Sequence, residues 1–164
     1  MDSVETLIPD NEGNHLVVVL SFYDDTAKSS TFQIREEFAE LDIADISINK
    51  LSHEKPLNLR AFYKMCQWLI EQFLVFPNAV FSFICSTDQL DTNHPEISPE
   101  QYRWNLFEYF YQRNLSKLSD LGIESKNIIV GPDGYQTFAR VFYRTCHAPI
   151  IHVVINHLCS KYSD

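Results

Sequence analysis

The spacing of apolar and polar positions predicts strands and helices in turn along the chain. His15 to Tyr23 is a β-branched and aromatic run and reads as a strand. Ile43 to Ile48 reads as another, with Ile46 and Ile48 on one face. Between them, Asp24 to Ser30 is a loop and Thr31 to Arg35 reads as a returning strand. Glu36 to Asp42 fits either a short helix or an extended connection. Residues 1–14 are polar, with Pro9 and Asn11-Glu12-Gly13-Asn14, and are expected to form a loose N-terminal arm.

Helical spacing begins after the connector Lys50 to Leu57. Leu59, Phe62, Cys66, Leu69 or Ile70, and Phe73 share a face, Asn58 is placed to cap, and Pro77 prevents continuation past Val75. Ala79 to Cys85 is apolar without alternation, as expected of a strand covered on both faces. A polar loop, Ser86 to His94, leads to Ser98-Pro99-Glu100-Gln101, the signature of a capped helix start. The helix runs to about Asn114, Leu115 to Leu121 continues helically or turns, and Gly122 fits a C-terminal cap. Asn127 to Val130 is a short strand, Gly131-Pro132-Asp133-Gly134 a turn, and Tyr135 to Tyr143 a long strand that returns antiparallel. Pro149 opens a last helix, with Ile151, Val154, Ile155 and Leu158 inward.

This order predicts a single α+β domain over residues 1–164. Its sheet is mixed and mostly antiparallel, of about five to six strands, flanked by three main helices. Composition supports a packed core: 45% hydrophobic, 21% charged and 13% aromatic residues. Only 4 glycines are present, which counts against phosphate-cradling loops. The net charge of −9 is uneven. Residues 1–57 hold 12 acidic and 4 basic residues, and the rest of the chain 10 and 9. That balance disfavours nucleic-acid binding over a broad surface. The 4 cysteines show no CxxC spacing, so a zinc ribbon is not expected. The acidic start, Met1-Asp2-Ser3-Val4-Glu5, has no basic region followed by an apolar one, and a reducing, cytoplasmic setting is expected. No apolar run is long enough to cross a membrane as a helix.

Four constellations could carry chemistry or binding. Cys85, at the strand-to-loop junction, with Asp88 and His94, could form a thiolate nucleophile with a base and an orienting acid. Against this stands a small buried thiol beside a polar turn. Asp88, Asp91 and His94 lack a recognised ligand spacing, and His152 and His157 are five apart and off one helical face, so no metal site is expected. Arg140 and Arg144 alternate with Phe138 and Phe142 on one strand face, an arrangement that can hold an anion or stack bases, or can cover apolar surface with arginine stems. Finally, Tyr102, Trp104, Tyr109 and Tyr111 join Phe107 and Phe110 in putting rings around more than one face of a helix. Either that helix is sandwiched or some of its rings form an interaction surface.

The stretch from about Asn58 to Leu158 resembles a family of small bacterial proteins known only as a domain of unknown function. The likeness rests on Phe81-Ser82-Phe83-Ile84-Cys85, Asp88, Arg103-Trp104-Asn105-Leu106-Phe107, the strand Tyr135 to Tyr143, and Ala148-Pro149. The resemblance implies a stress, toxin–antitoxin or anti-phage setting, and no activity. The order of elements also looks like an N-acetyltransferase fold lacking part of its start. That resemblance implies an acyl-coenzyme A site on a glycine-containing turn between a strand and the main helix, and Asn49 to Asn58, the matching place, has no glycine. The expectation is therefore a regulatory protein working through a protein partner or self-association, without catalysis or cofactor. A divergent acyltransferase and a single-stranded nucleic-acid binder are the alternatives.

Overall fold

The computed structural model describes residues 2–9, 15–24, 26–28, 40–50, 59–84, 99–130 and 137–161. In chain order these form β1 (Ser3–Pro9), β2 (His15–Phe22), β3 (Asp42–Lys50), α1 (Leu59–Val75), β4 (Ala79–Ile84), α2 (Pro99–Arg113), α3 (Leu115–Asp120), β5 (Ile123–Val130), β6 (Thr137–Arg144) and α4 (Ala148–Lys161). The six strands make one sheet in the order β1-β2-β3-β4-β6-β5. Every neighbouring pair is antiparallel except β3 and β4, which run parallel. A parallel pair needs a long crossover, and α1 supplies it. The fold is thus α+β with a single mixed sheet, as the pattern of elements predicts.

Two of the sequence expectations change. The N-terminal arm is not loose: Ser3 to Pro9 is strand β1, in register with β2 from Ser3↔Ser21 to Pro9↔His15. An edge strand needs only one apolar face, and here Val4, Thr6 and Ile8 turn to the core while Ser3, Glu5 and Leu7 are exposed. Half of its positions therefore look like loop. Likewise β5 begins at Ile123 and not at Asn127, because exposed Glu124 and Lys126 mask an alternating edge strand. The strand expected at Thr31 to Arg35 lies outside the described residues, as do the caps Asn58 and Ser98.

The sheet is covered on both faces, and strand alternation divides the core accordingly. On one face α1, α2 and α3 bury Phe62, Met65, Phe73, Phe107, Phe110 and Leu118 against Val18, Leu20, Phe81, Phe83 and Phe142. On the other, α4 lays Ile150, Ile151 and Val154 over Ile43, Val80, Val141 and Tyr143. Ala79 to Phe83 of β4 is buried on both faces, which explains its unbroken apolar sequence. Rings hold the first face together: Phe83 stacks on Phe107 with centroids 3.6 Å apart, and Phe73 lies 4.7 Å from Phe81. Each ring fully buried this way contributes roughly 1.5–3 kcal/mol of transfer free energy.

Candidate functional site

Cys85, Asp88 and His94 lie outside the described residues, so their arrangement is not among the findings. What the structure does show is where the other candidates go, and it takes most of them inward. Arg140 sits on β6 between β4 and β5, opposite Phe83 and Asn127. Its side chain keeps only 1% of its exposure. One amine of the guanidinium bonds to the Glu108 carboxylate of α2, and the other donates to the Ser125 hydroxyl at 3.0 Å. The Tyr111 ring lies 4.9 Å from the guanidinium carbon and the Phe142 ring 5.9 Å. Burial pushes the Glu108 carboxyl up, but bonds from Gln112, Arg140 and Asn127 outweigh it and hold the group below the ordinary glutamate value. This is a closed pin between sheet and helix, and it has no face open to a base or an anion.

Arg144 is placed differently and is equally committed. It donates to the carbonyls of Phe73 and Phe76, the latter at 3.1 Å, across the C-terminal end of α1. That helix has no basic residue in its own last turn, so β6 provides the cation that its free carbonyls and dipole favour. The expected Arg–Phe face therefore exists, with Phe138, Arg140, Phe142 and Arg144 on one side of β6; Arg140 and Phe142 are buried beneath α1 and α2, and Phe138 and Arg144 are half-buried. The buried Arg140 offers no face to a stacked base.

The aromatic helix is corrected in the same way. Phe107 and Phe110 are buried, and Tyr111 covers Arg140 and Phe142. Trp104 is half-buried, its ring 5.6 Å from Phe138. Of the four residues expected to form an interaction surface, Tyr109 is the one that stands outward, 54% exposed, with Arg113 donating to its hydroxyl at 3.1 Å. The Tyr102 side chain lies outside the described residues. The helix is thus mainly packed on the sheet, with its surplus rings used to seal a buried charge.

Two polar groupings escape the sequence reading. On the face covered by α4, Asp45 of β3 accepts the Tyr23 hydroxyl at 2.8 Å and the Ser82 hydroxyl at 3.1 Å. The parallel register that sets Asp45 beside Ser82 also ties β3 to β4. Lys28 is buried, and its ammonium donates to the Leu41 carbonyl at 3.0 Å. Burial raises the nearby Asp42 carboxyl, and the Lys28 charge opposes that rise. Neither grouping has a local sequence signature, because each is assembled by strand pairing. Among the described residues, no group of three His, Cys, Asp or Glu is placed to hold a metal ion, and no helix is long and apolar enough to cross a membrane.

Among the described residues, large apolar side chains stay exposed at Leu7, Tyr63, Leu74, Val75, Tyr109, Leu115 and Ile129. Ile129 of β5, 59% exposed, pairs with Phe138, on which Trp104 rests. These three form a patch beside α2, at the end of the sheet where β4 enters the segment 85–98. Comparison with protein-family models, with curated proteins and with solved structures finds no match to this chain.

Proposed function

We propose that this chain works through protein association, as a small interaction or regulatory protein without catalysis. The observation that carries the reading is Ile129, 59% exposed at the rim of the sheet beside the half-buried Phe138 and Trp104. Aromatic side chains are frequent anchors of an interface, and an exposed aliphatic beside them extends the apolar surface a partner could cover. The test is capture of binding proteins by the purified chain and by Ile129→Asp, with thermal unfolding as the control for folding. Loss of a captured protein in the variant, at unchanged melting, supports the reading. Identical capture by both proteins refutes the patch as its basis. A cytoplasmic setting in bacterial stress or defence belongs to the same proposal and rests on the family resemblance alone.

A second reading has its own support. β3 and β4 are the sheet's one parallel pair, and α1 crosses between them. Ligands of parallel sheets favour the carboxyl ends of such strands. The segment between β3 and α1 follows the carboxyl end of β3 in the chain, and an N-acetyltransferase-like protein carries its cofactor turn between a strand and its main helix. A divergent acyl-coenzyme A-dependent N-acyltransferase would be stabilised by acetyl-coenzyme A, by about 2.7 kcal/mol at 100 times its dissociation constant. An unchanged melting temperature at millimolar cofactor eliminates this reading.

A further inference from the structure

We infer that a second copy of this chain adds antiparallel to β5, an edge of the sheet among the described residues, about a two-fold axis through Ser125. The inference rests on the association reading and names its partner. Two edges end the sheet, β1 and β5. β1 is seven residues long and ends in Pro9, features that discourage strand addition. β5 has eight residues, no proline, and an unbroken register from Ile123↔Arg144 to Val130↔Thr137. Among the described strands it pairs with β6 alone. Glu124, Lys126, Asn127 and Ile129 are exposed on its two faces.

Symmetry then limits the register. A two-fold relating two antiparallel edge strands is perpendicular to the sheet, so residues facing the same side must oppose each other. The axis must therefore pass through a residue. An axis at Lys126 sets two ammonium groups opposite one another. An axis at Asn127 sets Lys126 against Ile128 and Glu124 against Val130. An axis at Ser125 sets Glu124 opposite Lys126 of the second copy, twice, and like and unlike cross-strand charges differ in sign of contribution. Glu124 pairs with Tyr143 and Lys126 with Val141 on β6, which sets both charges on the same sheet face.

The charge distribution agrees. Among the described residues before α1, six are acidic (Asp2, Glu5, Asp24, Glu40, Asp42 and Asp45) and two basic (Lys28 and Lys50), and strands β1 to β3 lie at the far end of the sheet. At about 4.8 Å per strand, pairing through β5 keeps the two β3 strands roughly 34 Å apart. That is about four Debye lengths at physiological salt, so the acids of these strands do not oppose association. Pairing through β1 would bring them together.

Sedimentation velocity on the full chain tests this, with Glu124→Lys, Lys126→Glu and the double exchange, each checked by thermal unfolding. The wild type should be a dimer. Lys126→Glu, at an exposed position, should weaken it tenfold or more, while at concentrations where both proteins are monomeric it melts like the wild type. The double exchange should restore the dimer, because the two charges swap across the axis. A wild type that stays monomeric at millimolar concentration overturns the proposal, as does a dimer that Lys126→Glu leaves intact. A monomeric wild type that still captures another protein through Ile129 fails this inference and leaves the association reading standing.

Discussion

At the scale of single residues, burial decides what each polar group can do. Arg140 joins β6 to α2 through Glu108, with Ser125 and two rings completing its surroundings. Removing one member of a buried pair leaves an uncompensated charge and usually costs about 3–5 kcal/mol. Glu108 keeps 29% of its side-chain exposure, so Arg140→Ala should fall at the lower end of that range. Replacing both partners together, as Arg140→Met with Glu108→Leu, should recover most of the loss, because an apolar pair carries no desolvation penalty. Chemical denaturation of the single and double variants measures this, and a double variant as unstable as Arg140→Ala would show that the pair is not a unit. The thiols follow the same logic. Cys66 is buried in the α1 face and burial pushes its thiol far above the ordinary range, whereas Cys146 and Cys159 are exposed. Alkylation of the native protein should therefore modify Cys146 and Cys159 rapidly and Cys66 only on unfolding. Prompt loss of Cys66 from the native peptide map would contradict the packing of α1.

At the scale of elements, the ends of helices carry as much information as their faces. Gly122 follows α3 with φ +71°, and its amide donates to the Ser119 carbonyl at 2.9 Å, one of the two bonds of a Schellman cap. A Cβ there would touch nothing within 4 Å, so Gly122→Ala isolates the backbone cost of the left-handed conformation, about 1–2 kcal/mol. Equal stability of the alanine variant in urea unfolding would place that residue outside the left-handed region. The α1 end works through tertiary structure, since Arg144 comes from a strand 68 residues beyond Phe76. Arg144→Ala should lower stability by about 1.5–3 kcal/mol per charged hydrogen bond lost. These two helix ends show what the sequence could reveal. The glycine cap was legible because its signal is local, as were the α1 stripe, the continuous apolar run of β4 and the β5–β6 hairpin. β1 was hidden because an edge strand keeps half its residues polar. The commitment of Arg140 and Arg144 was hidden because strand periodicity gives a shared face without saying whether helices cover it. The Asp45–Tyr23–Ser82 group was hidden because parallel pairing across α1 brings its members together.

At the scale of the whole molecule, the fold shifts titrating groups on β3, α2 and the β6–α4 turn, and this makes stability depend on pH in two separate windows. His147, in the 3-10 turn between β6 and α4, is held below the ordinary histidine value by burial first and by the Arg144 charge second. A histidine whose folded value is depressed charges more readily in the unfolded chain. Its contribution is complete above about 6.5, the unfolded value, and is lost as pH falls through the folded one. Glu108, also depressed in the fold, stabilises fully above about 4.3 and loses that contribution as pH falls further. Asp42 works against Glu108, since burial raises its carboxyl and its ionisation disfavours the fold. The acid limb should therefore be shallower than Glu108 alone would make it. The histidine window is the cleaner test, because ordinary carboxylates do not titrate there. Urea unfolding between pH 7 and pH 5 should show stability falling in the wild type, and His147→Gln should flatten that fall while leaving the slope below pH 4.5 in place. A variant that keeps the full wild-type slope above pH 5 would assign the loss to another histidine and remove the β6–α4 turn as its source.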